Sequence, residues 1–161
     1  MIGRCTDTDF DAILAIVNEA AEAYRGVIPA DCWHELYMTR SSLTAEIAAG
    51  VNFWGWNEDD VLLGIMGLQS VRDVTLIRHA YVMRSHQGKG IGGALLTSLI
   101  EQVTGALLVG TWAAADWAVR FYERHGFHLV SATGEKDRLL SSYWNISLRQ
   151  KETSVVLVHG R

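Results

Sequence analysis

Proline occurs once in this 161-residue chain, at Pro29, and cysteine only at Cys5 and Cys32. With so little proline and no low-complexity tract, nothing in the chain reads as a linker between domains. The two cysteines lack the CxxC spacing of zinc or redox sites, and two thiols in a chain of this size read as reduced rather than bridged. Positive charge is not in excess, because 14 Lys and Arg face 18 Asp and Glu for a net charge of −4. That balance excludes a general nucleic-acid binder, which needs a basic stripe to displace counterions from phosphates. Long apolar runs are missing too. The longest, "VLLGIMGL" from Val61 to Leu68, falls far short of the ~20 residues that cross a bilayer. At the start, Asp7, Asp9 and Asp11 interrupt any signal-like apolar stretch, so a soluble, cytoplasmic protein is expected.

Apolar residues are plentiful. A hydrophobic content of 49% supplies the core of one domain, read here as residues 1–161. "IGRC" reads as a short first strand. Phe10, Ile13, Leu14, Val17, Ala21 and Tyr24 then recur at three- and four-residue steps, predicting a helix capped by Thr8 or Asp9. "DCWHELY" and "SLTAEIAAG" read as two short helices, the second closed by Gly50. From Val51 the pattern changes: "VNFWGW", "VLLGIMGLQ" and "VTLIRHAYVM" read as strands joined by the turn-like "NEDD" and "SVRD". A helix marked by Leu96, Leu99, Ile100 and Val103 follows, then the strand "ALLVGTW" and a helix through Trp117, Ala118, Phe121 and Tyr122 that ends at Gly126. "FHLVS" and "TSVVLV" read as two further strands. The order predicts an antiparallel meander followed by a β-α-β-α-β half.

The functional signal lies in "YVMRSHQGKGIGGALLTSLI", residues 81 to 100, where Gly88, Gly90, Gly92 and Gly93 separate a strand-like run from a helix-like one. Glycines at such a corner let backbone N–H groups approach a ligand without a Cβ in the way. The first N–H groups of a helix are free donors backed by the positive end of its dipole, which suits a pyrophosphate. Arg84 and Lys89 make the segment locally basic in an acidic chain. A P-loop is excluded, because Lys89 is followed by Gly90 and no hydroxyl is placed for magnesium. Residues 88–93 match GxGxxG literally, yet Arg84, Ser85, His86 and Gln87 intervene after the strand and Asp116 falls inside the next helix. A dinucleotide-dependent oxidoreductase is therefore disfavoured.

The alternative motif begins one residue earlier, at Gln87-x-x-Gly90-x-Gly92, directly after "AYVMRSH". It resembles motif A of the GNAT superfamily of acetyl-CoA-dependent N-acetyltransferases. "RFYERHGF", from Arg120 to Phe127, resembles that family's second signature, and the resemblance covers about residues 51 to 132. It implies an α/β (α+β) GNAT fold: a mixed, mostly antiparallel sheet of about seven strands, splayed between the fourth and fifth, with helices on both faces. It also implies acetyl-CoA as co-substrate. Ala80, Tyr81 and Val82 would offer backbone to the pantetheine arm, and Gln87, Gly88, Lys89, Gly90, Ile91, Gly92 and Gly93 would hold the pyrophosphate.

Acetyl transfer to an amine needs a base, oxyanion stabilisation and a proton for the departing thiolate. Tyr122 matches the family tyrosine that supplies the proton, and a phenol with a reference pKa near ~10 stays protonated at neutral pH; a plain core position is the competing reading. The N–H near Val82 is the candidate oxyanion donor. His79 is the candidate base, set against a structural histidine or water alone, with the direction of its ring deciding. His125 and His128 straddle Gly126, so no metal site is expected. Two positions depart from the family pattern: Ala115 where relatives often carry an Asn on the cofactor arm, and Gly110 where relatives that acetylate protein N-termini often carry a Glu.

Aromatic residues gather at Tyr24, Trp33, Tyr37, Phe53, Trp54 and Trp56; each reads first as core, with a few as candidates to line an acceptor pocket, and Glu35 and Glu46 read first as solvated helix-face residues, with a place at the pocket mouth as the alternative. The function expected is direct transfer from acetyl-CoA to the primary amine of a small molecule, without a Cys5 or Cys32 acyl-enzyme. A non-catalytic acyl-CoA sensor is the alternative. "TSVVLV" reads as an exposed edge strand that could pair two copies into a homodimer.

Overall fold

The computed structural model describes residues 1–160. Seven strands form one sheet: β1 (Ile2–Arg4), β2 (Asn52–Glu58), β3 (Val61–Val71), β4 (Val74–Val82), β5 (Ala106–Trp112), β6 (Phe127–Leu129) and β7 (Ser154–His159). Their order is β1-β2-β3-β4-β5-β7-β6. Every pairing is antiparallel except β4 with β5. This is the mixed, mostly antiparallel sheet expected from the sequence.

Helix α1 (Phe10–Ala20) buries Ile13, Ile16, Val17 and Ala20, the spacing of one helical face. The chain enters it through a short 3-10 turn over Asp7–Asp9, where the Thr6 N–H donates to the Asp9 carboxylate at 2.8 Å. Helix α2 (Arg40–Ala48) starts at Thr39, whose hydroxyl accepts from the Ser42 N–H at 3.1 Å. Helix α3 (Ile91–Gln102) buries Ile91, Leu95, Leu96 and Leu99. Strand β3 is buried on both faces from Leu62 to Gln69. Leu63, Met66 and Leu68 pack with α3 on one side, and Leu62 and Ile65 pack with α1 on the other. Such burial explains why "VLLGIMGL" reads as a continuous apolar run rather than an alternating one. Helix α4 is Asp116–Arg124, α5 is Glu135–Tyr143 and α6 is Leu148–Glu152. No helix among the described residues is long and apolar enough to cross a membrane.

The sheet register shifts between Trp56 and Asn57 of β2 and again in the pairing of β3 with β4, and the second shift lies at the slot. Ile65 pairs with Tyr81 and Gly67 with Arg78, so His79 and Ala80 together oppose Met66. This is a β-bulge, and His79 carries the extra residue in a left-handed conformation, φ 57°. The bulge bends β4, and its parallel pairing with β5 ends at Ile77 and Val109. Beyond that point the two strands part.

Three expectations are corrected. "DCWHELY" is not a helix: it holds a 3-10 turn over Ala30–Cys32, because Trp33 and Tyr37 instead pack into a cluster with Tyr24, Ile28 and Trp112. "TSVVLV" is not an edge, since β7 lies between β5 and β6, and the homodimer inferred from it loses its basis. The segment 133–152, left without elements in the sequence reading, carries α5 and α6.

Candidate active site

Where β4 and β5 part, they open a cavity of about 700 Å³ that reaches from the glycine corner to Tyr24 and Tyr122. Each candidate residue can be placed against it. Ala80, Tyr81, Val82, Gln87, Gly88, Gly90, Ile91, Gly92, Gly93, His79 and Tyr122 all line its wall, and Lys89 does not. Residues from β4, the corner, α3, β5 and α4 thus converge on one slot.

The corner is built for an anion. Gly88 and Gly90 have φ of 79° and 85°, values that an L side chain reaches only with strain. The first i→i−4 bond of α3 runs from the Ala94 N–H to the Gly90 carbonyl. The N–H groups of Gly88, Lys89, Gly90, Ile91, Gly92 and Gly93 have no partner among the described residues. A row of free amides at the positive end of a 12-residue helix fits a pyrophosphate. Gln87 does something other than expected, donating its Nε2 to the Val82 carbonyl at 3.1 Å. Besides His79, the basic side chains in the wall are Arg124, His125 and His86; Arg84 and Lys89 stand outside it.

Along β4, the Met83 N–H donates to the Leu63 carbonyl of β3 at 2.8 Å. Alternation along the strand turns the Val82 N–H the opposite way, into the slot. A strand edge with free backbone groups suits an amide-bearing arm laid beside it.

Tyr122 stands at the inner end, 5% exposed. Its ring is gripped edge-on by Phe121 at 5.2 Å and Phe127 at 5.5 Å between centroids. Its hydroxyl has no hydrogen-bond partner among the described residues. Burial, aided by nearby Tyr24, pushes its pKa up, so the phenol is fully protonated at neutral pH. The packing grips the ring and leaves a proton donor free.

His79 lines the slot with a side chain 15% exposed, its Nε2 3.3 Å from Glu46 Oε2. Burial lowers its pKa, against the opposing pull of Glu46, which keeps the ring neutral near pH 7. Glu46 also receives Arg78 Nη2 at 3.0 Å. Burial works against its ionisation, but His79 and Arg78 together hold its carboxyl below the usual range. Glu46 is therefore a partner of Arg78 and His79, not a mouth residue, and Glu35 is exposed on the surface beside Arg25.

Ala115 is fully buried against Ile28 and Trp112 and takes no part in the wall. Gly110 does line it, and the space a side chain would fill there is taken by Trp144, whose ring atoms lie 3.3 Å from the would-be Cβ. Of the six aromatics gathered in the sequence, Tyr24 reaches the slot. Tyr37 lies 5.4 Å from Tyr24 between ring centroids and lines an adjoining cavity. Trp54 and Trp56 pack against the α3 core instead. Thr111, Trp117, Phe121 and Trp144 were missed, although Phe121 sits inside the quoted "RFYERHGF".

Comparison with known proteins identifies the family. Residues 17–143 match the family model described as Acetyltransferase (GNAT) domain. The chain belongs to that family and is a GNAT N-acetyltransferase. It is 24% identical over 144 residues to the peptidyl-lysine N-acetyltransferase YiaC of Escherichia coli, covering 89% of this chain and 93% of the relative. Its fold is similar to that of the PaiA N-acetyltransferase of Thermoplasma acidophilum, solved in complex with coenzyme A. That likeness has a TM-score of 0.74 at 16% identity and covers 100% of this chain and 98% of the other. A ribosomal-protein-alanine N-acetyltransferase of Brucella melitensis is similar at TM-score 0.66 and 20% identity, covering 98% and 97%.

Proposed function

We propose that the protein transfers acetyl from acetyl-CoA directly to the primary amine of a small molecule. The supporting observation is the slot itself, with free amides at one end and the unpaired hydroxyl of Tyr122 at the other. Acetyl-CoA, when bound, supplies the activated thioester. The amides of residues 88–93 take its pyrophosphate, and the free edge of β4 at Ala80, Tyr81 and Val82 takes its pantetheine arm. The Val82 N–H supplies a donor to a carbonyl oxygen gaining negative charge. His79, neutral and in the wall, accepts the proton of the incoming ammonium, and Tyr122 gives its own to the departing sulfur. No covalent enzyme step is needed, since Cys5 and Cys32 line neither cavity.

Residues 1–161 act as one catalytic domain in this reading. A cytoplasmic location accords with the two free thiols, Cys5 and Cys32.

The test is thiol release from acetyl-CoA across a panel of primary amines, with Tyr122→Phe as control. Turnover that collapses in the variant supports the reading. Coenzyme binding by calorimetry without turnover on any amine would assign the chain to the sensor class instead.

A further inference from the structure

Arg78 and His79 are consecutive in β4, and alternation along a regular strand would send their side chains to opposite faces of the sheet. Both instead reach one carboxyl group. Arg78 Nη2 lies 3.0 Å from each oxygen of Glu46, and His79 Nε2 lies 3.3 Å from Glu46 Oε2. The bulge permits this, because the left-handed backbone at His79, φ 57°, breaks the alternation between the two residues. Glu46 is itself held in place from α2. Gln69 of β3 accepts from Arg78 Nη1 at 2.8 Å and donates to the carbonyl of Ala49, the residue that closes α2, at 3.1 Å. Glu46 lines neither cavity, so its one route to the chemistry runs through the imidazole.

The two ring nitrogens of His79 stand in different surroundings. Nε2 is buried, makes no hydrogen bond of regular geometry, and faces the Glu46 carboxylate. Nδ1 has no hydrogen-bond partner among the described residues and is not closed off in the same way. It is therefore the nitrogen open to the cavities that this residue lines. A carboxylate at 3.3 Å favours an N–H on the nitrogen it faces over a lone pair there, and the second nitrogen then keeps its lone pair. Glu46 from α2 and Arg78 from β4 are the charged groups that act on the ring. The other titratable groups sharing its cavities are the phenols of Tyr24, Tyr37, Tyr81 and Tyr122, with His86, Arg124 and His125 at the glycine corner and the end of α4.

We propose that Glu46 is a positioning residue for acetyl transfer: its carboxylate keeps the proton of neutral His79 on Nε2, so that Nδ1 is the atom that takes a proton from the incoming ammonium. The inference rests on the acetyltransferase reading above and adds to it the accepting atom and the residue that selects it. In this step an N–H bond of the ammonium breaks and an Nδ1–H bond forms. The amine nitrogen keeps the electron pair with which it attacks the thioester carbonyl. The imidazolium retains its Nε2–H beside Glu46 and afterwards gives the Nδ1 proton to water. Glu46 takes no proton, as with carboxylates that orient an imidazole in hydrolytic triads.

The experiment compares the intact wild type, Glu46→Gln, His79→Gln and the double variant, using acetyl-CoA and the fastest of butylamine, putrescine and a lysine-containing peptide blocked at its N-terminus. The amide in Glu46→Gln still accepts from Arg78 but also offers the ring an N–H, which favours the other tautomer. Glu46→Gln is expected to lower kcat about tenfold or more with KM for acetyl-CoA unchanged. The acid limb of kcat should move to lower pH, because the ring loses the charge that favours its protonated form. In the His79→Gln background the same change should cost nothing further. An equal loss in both backgrounds would make Glu46 structural, and no loss in either would leave His79 unaided; each overturns the inference. Should His79→Gln match the wild type, water is the base, and the inference falls while acetyl transfer stands. Failure of every amine, with acetyl-CoA still bound, would overturn the parent reading and this inference with it. Nitrogen-15 spectra of the histidine-labelled wild type, assigned by the signals lost in His79→Gln, decide the matter even where Glu46→Gln does not fold. A protonated Nε2 and bare Nδ1 near neutral pH are expected, and the reverse tautomer overturns the proposal.

Discussion

Gln87 donates its side-chain amide to the carbonyl of Val82 at 3.1 Å, tying the start of the glycine corner to the end of β4. The surfaces proposed to take the phosphates and the pantetheine arm are thereby held at a fixed offset before any cofactor arrives. Gln87→Ala is expected to raise KM for acetyl-CoA about fivefold, the worth of one hydrogen bond. Little change is expected in kcat. Initial rates at varied acetyl-CoA check this, and a fall in kcat with KM unchanged would move Gln87 from positioning to chemistry.

Tyr122→Phe removes a hydroxyl that has no hydrogen-bond partner among the described residues and leaves the ring packing intact. A drop in kcat of about a hundredfold or more is expected. Coenzyme A affinity and melting temperature should hold steady. Rapid-mix kinetics beside calorimetry and a thermal melt give all three readouts, and a marked loss of stability would point to a plain core tyrosine.

Burial lowers the pKa of His79, and the sign of its pH effects follows. Unfolded chain takes up this proton near the ordinary imidazole value of ~6.5; the folded protein does so only at lower pH. Its contribution to stability is whole above that unfolded value and diminishes as pH falls toward the folded one. Melting temperature should therefore decline below about pH 6.5, less steeply in His79→Gln. If the ring is the base, the acid limb of kcat at saturating substrates lies below the ordinary imidazole range and is absent in that variant.

Gly90 has φ 85° with nothing within 4 Å of a built Cβ, so the penalty for Gly90→Ala is conformational and not steric. A loss of ~1–2 kcal/mol is expected, which for a chain of this size lowers the melting temperature by about 2–8 °C. KM for acetyl-CoA should rise alongside. Gly105→Ala, at an equally open position without a left-handed backbone, should change neither and serves as the control.

Much of the fold could be read from apolar patterning because burial follows it in α1 and α3 and along the continuous run of β3. Where packing outvoted the local pattern, the reading failed. Trp33 and Tyr37 left a helix-like "DCWHELY" to join the aromatic cluster, and β7 carries an edge-like sequence into the interior of the sheet. The helix α5 gave little signal because only Leu139 and Leu140 are buried in it. The cofactor end of the site was legible, since glycines, glutamine and tyrosine all sit in two short contiguous stretches. The acceptor end was not, because Tyr24, Tyr37 and Trp144 are brought together from three distant segments. The absence at Gly110 was visible in the sequence; the indole that fills it was not.

The slot exists because β4 carries one residue more than its partner across from Met66. An enzyme whose working space depends on a strand's residue count is exposed to a particular kind of genetic change. Many substitutions at His79 or Ala80 would leave the opening in place. Loss of a single codon there would let the two parallel neighbours zip shut along their whole length, closing the cleft while every motif residue on either side remained in the gene.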